Sequence, residues 1–241
     1  MVDVIVSGAN GNMGKVVTST INNQDKLNLV AMYDPTFDNS NEVNKKNNIE
    51  ELPDADLLIE FCSSESVREN TLHWLKHYNN IIIGSSGLTK KDHELIEIEL
   101  KKKQMIWIIP NFSIGAILQK KWSIEASKYY KNASIEERHH AEKKDWPSGT
   151  SYDLAMNLGS VKTPNPSQKK FKSIVNGIQI LSLRDPKYLA EQKIEFSTTD
   201  EVIVLEHISK TRDSFVKGLI LAINRFDELT GFNVGLETII E

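Results

Sequence analysis

After Met1, the chain begins with Val2-Asp3-Val4-Ile5-Val6-Ser7-Gly8-Ala9-Asn10-Gly11-Asn12-Met13-Gly14. The first six of these residues form a strand-like run, three glycines follow, and residues 15–21 have a helical pattern. Glycine permits a tight turn, and a helix that begins there directs its first N–H groups at a pyrophosphate. The spacing is G-x-x-G-x-x-G rather than G-x-G-x-x-G, and a glycine triplet alone is a weak signal. Its place directly after a strand favours a dinucleotide-binding fold.

A second strand-like run, residues 27–33, ends at Asp34, twenty residues after Gly14. In dinucleotide-binding folds an acidic residue at about this distance binds the ribose hydroxyls. The alternative is an aspartate that serves the turn before Pro35, which is a common role for this residue type. The spacing favours the ribose interpretation.

Strands and helices then alternate along the chain. We predict strands at 56–61, 81–84 and 105–109 and helices at 65–78 and 91–103. This alternation predicts a parallel, doubly wound sheet, which binds ligands beyond the carboxyl ends of its strands. Two strand ends are rich in turn residues, namely Gly84-Ser85-Ser86-Gly87 and Pro110-Asn111-Phe112-Ser113-Ile114-Gly115. Either is explained by an ordinary strand-to-helix turn, but both lie at the rim where a nicotinamide would bind.

The second half of the chain has a different pattern. After a predicted helix at 114–130, strand-like runs at 173–184, 192–198 and 201–208 follow one another. Such strands predict a mixed or antiparallel sheet with one open face, for which a partner subunit is one possible cover. A final helix is predicted at 214–231, with Asp213 or Ser214 as its cap.

The densest group of chemically active side chains is Glu137-Arg138-His139-His140-Ala141-Glu142-Lys143-Lys144-Asp145-Trp146-Pro147-Ser148-Gly149-Thr150. Histidine carries protons near neutral pH, and lysine offers charge and donors to an anion. A Ser-Gly-Thr turn that opens a helix offers N–H groups to a carboxylate. A solvated loop is the alternative, but two histidines after a strand-like segment, followed by an anion-binding turn, favour a functional site.

Composition narrows the remaining choices. The formal net charge is −4 at pH 7, so the chain lacks the basic excess of a nucleic-acid-binding protein. The single cysteine, Cys62, follows an apolar run, which predicts an inert thiol. The sequence shows neither a signal peptide nor an apolar run long enough to span a membrane, so we expect a cytoplasmic protein without membrane or metal partners.

Over nearly its whole length the chain resembles the 4-hydroxy-tetrahydrodipicolinate reductase family, also called the dihydrodipicolinate reductase family. The resemblance is carried by the glycine turn at 8–14, the turn at 84–87, the Asn-Phe-Ser-Ile-Gly segment at 111–115 and above all the motif at 137–150. That last motif is long and mixed in chemistry, which makes it specific.

The resemblance implies an NADH- or NADPH-dependent oxidoreductase that reduces 4-hydroxy-tetrahydrodipicolinate to tetrahydrodipicolinate, a step of the diaminopimelate route of lysine biosynthesis. It implies an α/β fold in which residues 1–110, completed by 212–241, form a Rossmann-type dinucleotide-binding domain. Residues 111–211 would form an α+β domain with a mixed sheet that binds a small dicarboxylate substrate and makes a homotetramer.

The resemblance also assigns roles residue by residue. His139 matches the family's proton donor and acceptor, and Lys143 matches its second catalytic proton donor. The groups that hold the substrate carboxylate match His140, Ser148, Gly149 and Thr150. The cofactor contacts match Gly8, Ala9, Asn10, Gly11, Asn12, Met13, Asp34, Gly84, Ser85, Ser86, Ile109, Pro110, Asn111 and Phe112.

The chain departs from the family pattern in two places. Many relatives carry an arginine followed by glycines and a histidine late in the sequence, whereas here residues 185–190 after Arg184 contain no glycine and Gln192 stands where the histidine would fall. Ser151 replaces the alanine that usually follows Pro-Ser-Gly-Thr. The alternatives are another nicotinamide-dependent amino-acid dehydrogenase and a catalytically silent nucleotide-binding regulator, but the His-His-Lys and Pro-Ser-Gly-Thr groups argue against both.

Two positions bear on the choice of nicotinamide. Relatives that favour NADPH tend to place a basic residue in the glycine turn or directly after the ribose acid. Here the turn carries the neutral Asn12, and Pro35 follows Asp34. A carboxylate accepts hydrogen bonds from the ribose hydroxyls and repels a 2′-phosphate. We therefore expect NADH to be used at least as well as NADPH, with Lys45 and Lys46 as the cations that would reverse the preference.

Overall fold

The computed structural model describes residues 1–38, 42, 44–164 and 171–240. The chain divides into two compact units. Unit 1 contains Met1–Phe112 and Phe215–Glu241, and unit 2 contains Ser113–Ser214.

Unit 1 is built on a seven-stranded sheet in which all neighbouring strands are parallel. Its strands are β1 (Val2–Ser7), β2 (Leu27–Tyr33), β3 (Lys45–Lys46), β4 (Leu57–Glu60), β5 (Asn80–Ile83), β6 (Met105–Ile108) and β12 (Gly231–Val234). They lie in the order β12-β6-β5-β4-β1-β2-β3. The helices of the unit are α1 (Asn12–Asn22), α2 (Val67–His77), α3 (Lys90–Glu99) and α6 (Val216–Arg225). The predicted doubly wound parallel sheet is confirmed.

Two inner strands of this sheet, β4 and β6, are buried along their whole length. Every residue of β4 and β6 is buried, as is typical of parallel strands with both faces covered by helices. Trp74 of α2 packs into the same core cluster as Leu58 and Ile81. Because the carboxyl ends of parallel strands meet at one edge, the segments that follow β1, β4 and β5 come together there.

The end of the chain differs from the prediction. The predicted helix at 214–231 is too long, because α6 ends at Arg225 and Gly231 begins β12, which pairs with β6. Asp213 and Ser214 lie in a short 3-10 turn, and the N-cap residue of α6 is Phe215, which makes no side-chain cap. A Cβ atom on Gly218 would lie 1.9 Å from the Phe112 carbonyl oxygen, so α6 packs closely against the segment that follows β6.

Unit 2 contains a five-stranded mixed sheet. Its strands are β7 (Asn132–His139), β8 (Lys172–Val175), β9 (Ile178–Arg184), β10 (Ala190–Ser197) and β11 (Val202–Ser209), in the order β11-β10-β7-β9-β8. The β7–β9 pair is parallel and the others are antiparallel. Helices α4 (Ile114–Ser127) and α5 (Gly149–Asn157) belong to the same unit. The predicted mixed sheet is confirmed.

Two features of this sheet bear on the predictions. The run predicted as one strand at 173–184 is a hairpin, because Asn176 and Gly177 adopt positive φ and reverse the chain. On β11 alternate residues point to solvent, and Val202, Val204 and Ile208 are exposed. The described chain therefore has an open sheet face that carries apolar side chains.

Candidate active site

The glycine turn of unit 1 leaves no room for side chains. Gly8 has a φ of 74°, and a Cβ atom on it would lie 2.4 Å from the Phe61 carbonyl carbon. A Cβ atom on Gly14 would lie 2.1 Å from the Gly8 carbonyl oxygen. Helix α1 begins at Asn12, directly after the turn. The first-turn N–H groups of a helix have no intrahelical acceptor, so this cradle suits a phosphate.

Asp34 lies at the carboxyl end of β2, beside the glycine turn. It is buried, and its carboxylate accepts hydrogen bonds from the Asn10 N–H (3.0 Å), the Thr36 N–H (3.0 Å) and the Thr36 hydroxyl (2.6 Å). Asp34 thus makes the turn bonds expected of an aspartate before Pro35 and also holds the glycine turn. The structure shows the turn role directly, and the ribose role stays a prediction.

A cavity of about 410 Å³ adjoins this turn. Asn10, Lys15, Phe37 and Lys45 are among the residues that line it. Lys45 Nζ lies 2.8 Å from a Glu42 oxygen and 5.7 Å from the centre of the Phe37 ring. Lys46 Nζ lies 4.0 Å from a Glu51 oxygen. Both lysines are therefore already close to carboxylates.

The segments that follow β4, β5 and β6, which we predicted to contact the cofactor, pack against one another. Phe61 packs against Gly84, where a Cβ atom would lie 2.3 Å from the phenyl ring, and against Phe112 at 5.6 Å between ring centres. The Ser85 hydroxyl donates to the Cys62 carbonyl at 3.0 Å. Burial and the nearby Glu60 carboxylate raise the pKa of the Cys62 thiol, in agreement with an inert cysteine. The structure thus brings the segments at 84–86 and 109–112 to the same edge as Gly8.

Sequence reasoning missed Glu60, a fully buried carboxylate at the end of β4. It accepts hydrogen bonds from Trp74 Nε1 at 2.7 Å and from Asn70 Nδ2 at 3.2 Å, so it fixes α2 to the strand end. An acid that closes an otherwise apolar strand was the available signal.

In unit 2, His139 is the last residue of β7. Its Nδ1 atom is buried and has no hydrogen-bond partner among the residues that the structure describes. Burial lowers the pKa of His139 to about 4; the Glu137 charge opposes that shift, and the Lys143 and Arg184 charges add to it. Without ligand, His139 is therefore a neutral imidazole at pH 7, which differs from the near-neutral titration expected from the sequence. His140 follows directly on the chain.

The loop between β7 and α5 is held by Arg184. Its guanidinium donates to the Glu137 carboxylate at 3.0 Å, to the Asp145 carbonyl at 2.6 Å and to the Lys143 carbonyl at 3.2 Å. Lys143 Nζ lies 2.8 Å from Asp145 Oδ1. From the sequence we associated Arg184 only with the sheet, because its contacts to 143 and 145 are long-range and invisible in the local pattern.

Glu137 connects the same loop to helix α5. Its side chain is fully buried, and its two oxygens accept the Ser148 N–H at 3.1 Å and 2.9 Å. Burial disfavours its charge, but hydrogen bonds from Ser148 and neighbouring hydroxyls outweigh burial and lower its pKa. Ser148 is buried and its hydroxyl caps α5, whereas Gly149 and Thr150 are exposed at the first turn. The first-turn N–H groups at 149 and 150 have no intrahelical acceptor, which suits an anion.

Comparisons with known proteins cover both units. The family model described as "Dihydrodipicolinate reductase, N-terminus" matches residues 2–112, and the model described as "Dihydrodipicolinate reductase, C-terminus" matches residues 115–240. The 4-hydroxy-tetrahydrodipicolinate reductase of Lactobacillus acidophilus is 32% identical over 255 residues, covering 98% of each chain. The enzyme of the same name from Coxiella burnetii is 31% identical over 245 residues, covering 99% of each.

Solved structures agree with the sequence comparisons. The dipicolinate-bound dihydrodipicolinate reductase from Paenisporosarcina sp. TG-14 superposes with a TM-score of 0.83, at 30% identity and with full coverage of both chains. An aspartate dehydrogenase from Thermotoga maritima reaches a TM-score of 0.55 at 16% identity, which shows a shared fold alone. The chain belongs to the dihydrodipicolinate reductase family.

Proposed function

We propose that this chain uses a nicotinamide cofactor to reduce 4-hydroxy-tetrahydrodipicolinate to tetrahydrodipicolinate in the diaminopimelate route of lysine biosynthesis. One observation carries the proposal. In a chain that matches the family from end to end, Glu137 and Arg184 bond the backbone of Lys143, Asp145 and Ser148, and the charges of Glu137, Lys143 and Arg184 act on His139. A proton carrier, an ammonium group and an anion site are what reduction of a dicarboxylate imine requires.

The substrate would be held by unit 2. The N–H groups of Gly149 and Thr150, with Ser148 capping the turn behind them, would bind one carboxylate of the substrate. Lys143 and His140 would provide the positive charge and further donors for the dicarboxylate. Lys143 is paired with Asp145 in the ligand-free chain, and a substrate carboxylate would compete with Asp145 for the ammonium.

The proton would come from His139 or Lys143. Loss of the 4-hydroxyl group from the substrate as water gives a C=C–C=N system. Its reduction adds hydride at one end and leaves negative charge at the other, which must be protonated. His139 is neutral without ligand because burial lowers its pKa to about 4. The negative charge of a bound dicarboxylate raises the pKa of a nearby imidazole. His139 would thus become an acid only when substrate is present.

Unit 1 would hold the cofactor, which supplies the hydride when bound. The residues fit that group, since Gly8 and Gly14, where a Cβ atom would strike backbone, permit the tight turn that directs the first N–H groups of α1 at a pyrophosphate. Contacts to the dinucleotide would come from residues 8–13, Asp34, 84–86 and 109–112. We propose that NADH is used at least as well as NADPH, because Asp34 presents a carboxylate to the ribose and Lys45 and Lys46 lie near acids of their own.

Assembly and location belong to the same proposal. The open face of β11 carries the exposed apolar side chains of Val202, Val204 and Ile208, which supports a homotetramer in which copies of this chain cover that face. Among the described residues, no helix is both long and apolar enough to cross a membrane. We propose a cytoplasmic enzyme whose partners are its small-molecule ligands and its own subunits.

A coupled assay tests the proposal. Pyruvate and aspartate semialdehyde are mixed with the preceding synthase of the route, this protein is added, and NADH absorbance is followed. We expect NADH consumption that depends on the synthase and is inhibited competitively by pyridine-2,6-dicarboxylate. NADH oxidation with an amino-acid dehydrogenase substrate instead would support the rival dehydrogenase, and NADH binding without turnover would support a silent regulator.

A further inference from the structure

Behind the proposed carboxylate site runs a buried chain of hydrogen bonds that the proposed mechanism does not use. Gln192 Nε2 donates to Ser151 Oγ at 2.7 Å, and Ser148 Oγ donates to the same oxygen at 3.1 Å. Ser151 is fully buried, and Ser148 and Gln192 are 3% and 8% exposed. Buried polar groups have no access to water, so these three side chains depend on one another for their hydrogen bonds.

The chain of bonds ends at the buried carboxylate. Hydrogen bonds from the Ser148 and Ser151 side chains are among those that stabilise the charge of Glu137. The two hydroxyls therefore connect the Gln192 amide to that carboxylate.

Gln192 is itself held firmly. It lies directly opposite Glu137 in the β10–β7 register. Its backbone carbonyl accepts a hydrogen bond at 2.7 Å from Gln119 Nε2 of α4, which also donates to the Leu205 carbonyl at 2.8 Å. Because the backbone of Gln192 is fixed in this way, its side-chain amide reaches Ser151 from a defined position.

The contact between these two residues needs both side chains. An alanine at 151 would have no hydroxyl to receive the Gln192 amide. Each accounts for the other, because a buried amide without an acceptor or a buried hydroxyl without a donor is costly.

We propose that Gln192 and Ser151 are positioning residues that hold Ser148 and the first turn of α5 in the orientation that receives the substrate carboxylate. This inference rests on the proposed function, which assigns that turn to the substrate. Both residues are buried and act through Ser148, so they are not catalytic residues.

The test uses Gln192→Met, Ser151→Ala and the double variant in the full-length protein. Each single change should raise the Kd for pyridine-2,6-dicarboxylate, measured by calorimetry, and the KM for substrate by about tenfold, since one buried hydrogen bond is lost. The value of kcat should change less than KM, and the Kd for NADH should stay at its wild-type value. The double variant should be no worse than the poorer single variant, because both changes break the same bond.

Thr163→Val is the matched control. It removes the hydroxyl that donates to the Ala133 carbonyl and accepts the Gln179 N–H in the same unit, away from Gln192 and Ser151, so it should lower Tm and leave the dicarboxylate Kd unchanged. Wild-type dicarboxylate binding in both single variants would overturn the inference, as would equal weakening in Thr163→Val. A wild-type protein that binds dicarboxylate and turns over in the coupled assay shows that such a failure belongs to the inference alone. A wild-type protein that does neither would contradict the proposed function and this inference with it.

Discussion

His139 ends β7 with a half-buried imidazole whose Nδ1 atom is buried, and it is neutral at pH 7. If it delivers the proton, His139→Gln should lower kcat by roughly 10²–10⁴-fold, the usual contribution of a positioned acid. Stopped-flow or steady-state assays would measure kcat, and fluorescence titration should show an unchanged Kd for NADH. His140→Gln is the comparison, and it should act more on substrate KM than on kcat. Wild-type turnover in His139→Gln would contradict the assigned role.

Glu137 makes stability depend on pH in a defined direction. Its folded-state pKa lies below its ordinary value, so its ionised form stabilises the fold fully above the unfolded value, about 4.3. That stabilisation is lost as pH falls through the lower folded value. We expect Glu137→Gln to reduce the free energy of unfolding by about 2–4 kcal/mol at pH 7, because Arg184 loses its charged partner. Urea titrations of both proteins should show the difference narrowing at acidic pH, and a constant difference would contradict this account.

Among the elements, the glycine turn and the start of α1 together form the cradle that we propose for the cofactor pyrophosphate. A Cβ atom at Gly14 would lie 2.1 Å from the Gly8 carbonyl oxygen, so Gly14→Ala must displace the turn. We expect this change to weaken NADH binding by at least about tenfold, since the phosphate-binding geometry is lost. Gly159→Ala is the control. Its φ of 64° strains an alanine, but nothing lies within 4 Å of a Cβ atom there and the residue is in unit 2, so the change should lower stability and leave the Kd for NADH unchanged. Equal NADH affinity in Gly14→Ala and wild type would count against the cradle.

Local sequence predicts some elements to the residue. The run at 27–33 is one of them, because it is an apolar, strand-forming run that ends at the turn signal Asp34-Pro35. The short strand β12 was missed, since its four residues are defined by pairing with β6 far away in the chain. Arg184 and Glu60 were missed as organisers for the same reason. Their hydrogen-bond partners lie on other elements, so the local pattern gave no sign of them.

At the scale of the whole molecule, the open face of β11 predicts association. Light scattering should give the mass of four chains at micromolar concentration. Val204→Glu places a charge on that face, directly across from Glu195, and should shift the mass to smaller species. Ile98→Glu, at an exposed apolar residue of α3 in unit 1, is the control and should leave the mass unchanged. A wild-type mass of one chain would contradict the tetramer.

The preference between the two nicotinamides is also a property of the whole enzyme. Asp34 and the neutral glycine turn predict that kcat/KM with NADH at least equals that with NADPH at matched ionic strength, since salt screens the 2′-phosphate charge. A clear preference for NADPH would overturn this prediction and would direct attention to Lys45 and Lys46.

The central claim is that hydride passes from a nicotinamide to a cyclic dicarboxylate imine. The most direct test is isotope transfer, in which NADH carrying two deuteriums at C4 is used in the synthase-coupled reaction and the product is weighed by mass spectrometry. We expect the mass of tetrahydrodipicolinate to exceed that of the product made with unlabelled NADH by one deuterium in place of hydrogen. Consumption of labelled NADH without deuterium in that product, or no reduction of the dicarboxylate at all, would contradict it.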